Sequence, residues 1–420
     1  MSGPGQFFLG EEEAALVQRV LTSRRLSRYR SDVADPGDES MVFTLEREIE
    51  HRFGARHCIA VNSGTSAILA SLAALGVGPG DEVIVPGYTF VATIAAVVHR
   101  GAVPVLAEID ESLTLDPEDV ARRITPRTKA VIAVHMLGAP CAMDELRAIT
   151  DAHGLALVED VAQACGGSYR GRSLGTIGAA GAFSLNPFKV ITGGDGGLLT
   201  CADDEVYERA FAFHDHGFRP LRQGVVDADS LFGMNLRMHE LSGAVALAQL
   251  RKIDTILATL RRQKERLTDA IGEIPGVARR RLNDPAGDCC SLLVLRFESI
   301  TVAEAVSSRI GSTTLINSGR HYYGNMPQLL GRRMPTKTEC PFGCAAHPTA
   351  HRYRAHMLPR TDDILARSVA LSVGVVDSYL GSGFGIDPFS SADDIASVAD
   401  ALHTAVNEVT EKPVADKRRT

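Results

Sequence analysis

The chain has 420 residues, 45% of them apolar and 23% charged, so it can bury a large core, which excludes a disordered tail or a fibre. Lys plus Arg total 44 against 51 for Asp plus Glu, a net charge of -7, and this argues against non-specific binding to nucleic acid. No run of about 18 uncharged apolar residues is present to span a bilayer, and the opening MSGPGQFFLGEEEAALVQRV lacks the basic head and apolar stretch of a secretory signal, so a cytoplasmic protein is expected.

Short runs rich in Val and Ile alternate with helical patterns from about residue 57 to 215, the mark of a mainly parallel sheet covered by helices. Strands are expected at 58–62, 82–86, 103–109, 130–137 and 155–160, and helices at 66–75 and 143–153. Gly76, Gly78, Pro79 and Gly80 punctuate the turn into the second strand, because Gly and Pro break helices for steric reasons. A further strand pair, 181–185 and 197–200, flanks a glycine-rich turn. From 239 to 271, Leu241, Ala244, Leu247, Leu250 and Ile253 recur at three-residue steps, which predicts one long helix linking two domains. The stretch 275–405 mixes strands at 292–297 and 369–375 with helices at 302–310 and 392–406, a smaller α+β domain. The expected organisation is an N-terminal segment and large domain over 1–255, a small domain with its linking helix over 256–408, and a disordered charged tail over 409–420. No internal repeat is evident.

Three features carry chemistry. The strand 155–160 ends in Glu159-Asp160, which places a carboxylate at the carboxyl edge of a parallel sheet, where ligands of such folds bind. Lys189 lies in FSLNPFKVITGGDGG, before a turn containing Gly193, Gly194, Gly196 and Gly197; a lysine desolvated beside such backbone becomes nucleophilic, although taken alone it reads as a surface lysine. Ser63-Gly64-Thr65 stand at the start of a helix, where unpaired N–H groups and the helix dipole favour an anion, or where the hydroxyl is only a cap. A lysine for an imine, an acid to keep a pyridine nitrogen protonated and an anion site are together what pyridoxal phosphate requires.

The motifs NSGTSA (62–67), GDEVIVPGYTFVAT (80–93), VEDVAQA (158–164), FSLNPFKVITGGDGG (183–197) and GMNLRMHELSGAVALAQL (233–250) resemble, in order, those of the DegT/DnrJ/EryC1/StrS sugar aminotransferases. The resemblance covers nearly the whole chain and implies fold type I of the pyridoxal-phosphate enzymes: an α/β fold with a mainly parallel seven-stranded sheet in the large domain and a smaller α+β C-terminal domain. It further implies that Lys189 is the Schiff-base lysine and proton shuttle, and Asp160 the partner of the pyridine nitrogen. Gln163 would bond the ring's phenolic oxygen, Gly64, Thr65 and Ser184 would hold the phosphate, and Phe90 would stack on the ring. Asn235 matches a residue that reaches the phosphate from a neighbouring subunit, so a homodimer with sites at its interface is expected. Arg237, His216, His321 and the N-terminal Arg28, Tyr29 and Arg30 correspond to positions near substrate or interface, with ordinary surface roles as the alternative. Asn186 stands where many relatives carry histidine or another residue.

The segment VITGGDGG is closer to the form found in enzymes that aminate C4 sugar ketones, and LAEIDESLTLDPEDV and LAQLRKIDTI look like the branch acting on eight-carbon sugar acids. The expected reaction moves an amino group from an amino acid, L-glutamate first among candidates, to a keto-sugar, most often nucleotide-linked, in antibiotic or surface-polysaccharide biosynthesis. A pyridoxal-phosphate sugar dehydratase is disfavoured because such relatives replace the lysine with histidine; a non-catalytic cofactor-binding regulator is the other alternative. A nicotinamide dehydrogenase is disfavoured because no Gly-x-Gly-x-x-Gly follows the first strand. The eight cysteines read as reduced thiols. Cys340, Cys344, His347 and His351 have zinc-like spacing, yet the resemblance assigns Cys340-Pro341 to a metal-free loop that borders the active site, and no metal is expected.

Overall fold

The structure, a computed structural model, describes residues 2–29, 40–218, 231–335, 340–347 and 352–411. The Val- and Ile-rich runs form strands close to where their patterns place them: β1 (His57–Val61), β2 (Glu82–Pro86), β3 (Val103–Ala107), β4 (Thr128–Val134) and β5 (Ala156–Asp160). A two-residue hairpin, β6 (Ser168–Tyr169) and β7 (Arg172–Ser173), is followed by β8 (Ala180–Ser184) and β9 (Gly197–Cys201). Seven of these strands make one sheet in the order β1-β9-β8-β5-β4-β2-β3. Only β9 runs antiparallel to its neighbours; β8, β5, β4, β2 and β3 are mutually parallel.

Such a sheet must be covered on both faces, which is why its strands are apolar throughout rather than alternating. The pleat still sorts the side chains. Cys58, Ala60, Ile84, Val131 and Ala133 enter one core, while Ile59, Val61, Val83, Val85, Ala130 and Ile132 enter the other. Helix Gly64–Ala74 starts immediately beyond β1, with Ser63 Oγ accepting the Ser66 N–H at 3.1 Å. It lies so close to β8 that a Cβ on Gly64 would stand 2.7 Å from Ser184 Cβ. Gly181, in β8, has equally little space: a Cβ there would meet Gly175 Cα at 2.4 Å and Thr200 Oγ1 at 2.5 Å.

A second sheet of three antiparallel strands, β10 (Val277–Arg279), β11 (Leu292–Phe297) and β12 (Ser368–Ser372), follows in the order β10-β11-β12. Helices Ile300–Arg309 and Ala392–Glu411 belong to this part and pack on each other. The helical pattern at 239–271 is two helices, Glu240–Arg251 and Ile253–Ile271, not one. The apolar periodicity runs through the junction, but the backbone turns at Lys252 (φ -99°, ψ 0°), whose Nζ is drawn to Phe8 O at 2.6 Å and Glu13 Oε1 at 2.6 Å. The expected division after 255 therefore falls inside helix Ile253–Ile271, and the expected tail begins too early, since the last helix continues to Glu411; 412–420 lie outside the described residues. Among the described residues no helix is long and apolar enough to cross a membrane.

Gly181→Ala is expected to destabilise the fold by about 1–3 kcal/mol, the usual cost of overpacking, because backbone on one side and Thr200 on the other would have to move. Thermal denaturation of purified protein, with the variant melting below the wild type, is the measurement.

Candidate active site

The pleat of β5 settles which of its two terminal acids serves a site. Glu159 points away from the cavity, into the turn after β7, where its carboxylate accepts the N–H groups of Gly175 (2.9 Å), Ile177 (2.7 Å) and Gly178 (2.7 Å). Asp160, facing the other way, lines a cavity of about 520 Å3 at the carboxyl edge of the sheet. The turn following β8 brings Lys189 into the same wall, together with Gly64, Thr65, Phe90, Gln163, Ser184 and His321. This is the topological position at which α/β sheets bind ligands.

Asp160 is fixed from two directions. Thr93 Oγ1 donates to its Oδ2 at 2.7 Å and Ala162 N–H to its Oδ1 at 3.1 Å, while Thr89 Oγ1 lies 2.7 Å from Thr93 Oγ1. Burial pushes the Asp160 carboxyl above its ordinary range, and the two hydrogen bonds and the nearby Lys189 oppose that rise. Burial likewise pushes the Lys189 amine below the usual lysine value, against the pull of Asp160 and then of Asp377. His321 is driven down to about 4 by burial and by the Lys189 charge, so its imidazole is neutral at neutral pH.

The remaining walls divide by chemistry. Gly64 and Thr65 open helix Gly64–Ala74, and among the described residues no acceptor takes their N–H groups, since the Ser63 cap is used by Ser66 and Ala67; this is an anion cradle that a larger residue at 64 would close. Phe90, 41% exposed, presents its ring to the cavity, 5.1 Å from the His321 ring. Gln163 is held by Leu137 N–H on its Oε1 at 2.8 Å, which leaves its amide nitrogen for a ligand. Ser184 accepts the Asn186 N–H at 3.4 Å, and Asn186 Nδ2 donates to Asp195 Oδ1 at 3.3 Å. Lys189, Asp160, a flat ring and an anion cradle in one cavity fit a phosphorylated pyridine aldehyde.

Other expected site residues stand elsewhere in this chain. Asn235 is exposed and outside the cavity wall; its Oδ1 accepts Arg237 Nε at 3.0 Å, and Arg237 pairs with Asp215 at 3.3 Å. Their segment does run beside the anion cradle, since Leu236 O accepts the Asn62 N–H at 2.7 Å. His216 is exposed, with φ 56°, and does not line the cavity. Arg28 and Tyr29 are not in this wall either: Arg28 pairs with Glu46 at 2.7 Å and Tyr29 Oη lies 2.6 Å from His214 Nε2, while Arg30 falls outside the described residues. The Cys340-Pro341 loop is likewise away from the cavity. Its His347 Nε2 is 3.0 Å from Gly80 N and 3.2 Å from Gly101 O, at the turns that enter β2 and β3. Cys340 and Cys344 Sγ atoms are 2.7 Å apart and His351 is outside the described residues. Conversely, Thr93, Asp377 and Tyr379 line the cavity without having been singled out. Thr93 ends the YTFVAT segment, so its position seven residues past the second strand was a usable signal; Asp377 and Tyr379 offered none.

The family model described as the DegT/DnrJ/EryC1/StrS aminotransferase family matches residues 9–340. An L-glutamine:2-deoxy-scyllo-inosose aminotransferase of Streptoalloteichus tenebrarius is 36% identical over 313 residues, 70% of this chain and 73% of that protein. The erythromycin biosynthesis sensory transduction protein EryC1 of Saccharopolyspora erythraea is 41% identical over 263 residues, 62% and 70% of the two chains. Among solved structures, 3-amino-5-hydroxybenzoic acid synthase superimposes with a TM-score of 0.78 at 28% identity, over 95% of this chain and 97% of that one.

Arg28→Ala separates a structural from a substrate-binding role. Glu46 is fully buried and burial already pushes its carboxyl up to about 7, so removing its guanidinium partner should cost up to about 3–5 kcal/mol of stability, the upper end applying where the carboxyl stays charged. Denaturant unfolding reads that loss, whereas a substrate contact would change KM and leave the unfolding midpoint in place.

Proposed function

The chain belongs to the DegT/DnrJ/EryC1/StrS aminotransferase family and is an enzyme of that family; from this premise we propose that it uses pyridoxal 5'-phosphate to transfer an amino group from an amino acid to a keto-sugar or keto-cyclitol. The observation that carries the reading is the convergence of Lys189, Asp160 and the open helix N-terminus at Gly64–Thr65 in one cavity. When bound, the cofactor supplies an electron sink for the carbanion left by loss of a proton next to nitrogen.

Each residue has a task that its surroundings support. Asp160, kept in place by Thr93 and Ala162, holds the pyridine nitrogen's proton. Lys189 anchors the cofactor and, as a free amine whose basicity burial has lowered, moves a proton between substrate and cofactor. Gly64, Thr65 and Ser184 take the phosphate, Gln163 the phenolic oxygen, and Phe90 limits tilt of the ring. His321, neutral and beside Phe90, faces the substrate.

Asn235, Arg237 and His216 complete the cavity of a second copy of this chain in a homodimer, a role supported by the exposure of Asn235 and His216 and by the run of 235–237 alongside the cradle. L-glutamate remains the candidate amino donor, while a glutamine donor and acceptors of the sugar or cyclitol class agree with the names of the relatives.

Borohydride treatment of cofactor-saturated protein, followed by peptide mass mapping, should label Lys189; Lys189→Ala should be unlabelled and should lose turnover, and label on another lysine would sink the reading. Mixing Lys189→Ala with Asn235→Ala protein tests the shared site. If both sites need a lysine from one chain and an asparagine from the other, re-formed hybrids regain activity that neither parent shows, and no recovery on proven exchange rules the sharing out.

A further inference from the structure

We propose that Asp377 is a positioning residue for Lys189, its carboxylate holding the ε-amino group from the side of the small sheet while Asp160 acts from the large one; this rests on the reading of Lys189 as the cofactor-bearing lysine. Asp377 follows β12 in the chain and is buried. It lines the large cavity and also a smaller one of about 40 Å3 adjoining it, and Lys189, His321 and Asp377 are the ionisable residues common to both walls.

The carboxylate is held by one oxygen and shares both cavity walls with Lys189. Its Oδ1 accepts the Tyr379 N–H at 2.9 Å, and its carbonyl accepts Leu380 N–H at 3.1 Å and Ser382 N–H at 2.9 Å, so the backbone cannot drift. Among the described residues, Oδ2 accepts no hydrogen bond, which leaves it for the amine. A clip made by the first residues then ties the two loops together. Ser2 and Val376 exchange backbone hydrogen bonds (3.1 and 2.9 Å), Gly3 N–H donates to Pro187 O at 3.1 Å, and Gly5 N–H donates to Lys189 O at 3.2 Å. Gly3 is required there, since a Cβ would stand 2.1 Å from the Phe188 carbonyl carbon.

The other charged and titratable groups of the walls are accounted for. Asp160 is engaged by Thr93 and Ala162, Asp195 by Asn186, His321 is neutral, Tyr379 is exposed, and no arginine lines either cavity. Asp160 and Asp377 are the two acids whose fields reach the amine. A carboxylate beside an amine favours its protonated form. Asp377 therefore gives the lysine a resting place and a higher proton affinity than burial alone would leave it.

The test is a pH titration of the visible absorbance of cofactor-loaded protein, wild type against Asp377→Asn and Asp377→Glu. The amide keeps the acceptor for Tyr379 N–H and removes only the charge. Its midpoint should fall by about one pH unit, tenfold in proton affinity, and the glutamate variant should recover part of that fall. Borohydride capture is run on the same samples. Wild type that fails to capture cofactor at Lys189 refutes the functional reading. Capture with an unchanged midpoint in Asp377→Asn refutes the role of Asp377 alone. If that variant does not take up cofactor, the pH dependence of reductive methylation of Lys189 by formaldehyde in the cofactor-free proteins is compared by peptide mass; the same downward shift is expected, and an unchanged profile overturns the proposal.

Discussion

A primary amine moved out of water loses its proton affinity unless an anion stays beside it, and the site is arranged around that constraint. Burial lowers the proton affinity of Lys189, and an amine with no counter-charge in an apolar wall would have no reason to keep one position. Asp160 comes from the end of β5 and Asp377 from the loop after β12, so the two carboxylates are carried by different parts of the chain. The amine thus reports the relative placement of the two parts of the chain. The neutral His321 fits the same arrangement, because a second cation there would compete for the same anions.

The large sheet was readable because its determinants are local. Branched side chains in short runs mark the strands, and the pleat assigns alternate residues to the two cores. The same alternation decides between Glu159 and Asp160, a choice that the sequence leaves open until the partners of each are known: three backbone N–H groups for the former, Thr93 and the cavity for the latter. Glycine positions such as 64 and 181 were visible as glycines, but the atoms that forbid a Cβ lie on other strands.

What escaped the sequence has a common physical cause. At the turn, Lys252 is held by Phe8 and Glu13, more than 235 residues earlier in the chain, and apolar periodicity carries no trace of it. Arg28 and Tyr29 carry charge and aromatic character that suit a sugar, yet Glu46 and His214 use both. Asp377 is one acid among many in a loop, and only the fold brings it into the cavity wall that also holds Lys189. Asn235, Arg237 and His216 present the opposite problem. The motif holding Asn235 and Arg237 was legible, but in this chain all three residues stand outside the cavity wall.

The clip formed by Ser2, Gly3 and Gly5 also bears on how the protein matures. Val376 is made long after the strands of the seven-stranded sheet, so that sheet can form, and Gly3 and Gly5 can bond the lysine turn, while Ser2 still waits for its partner. Contacts between such distant points of a chain are costly to close early in folding. The link between the lysine turn and the segment after β12 is accordingly among the last contacts to be established.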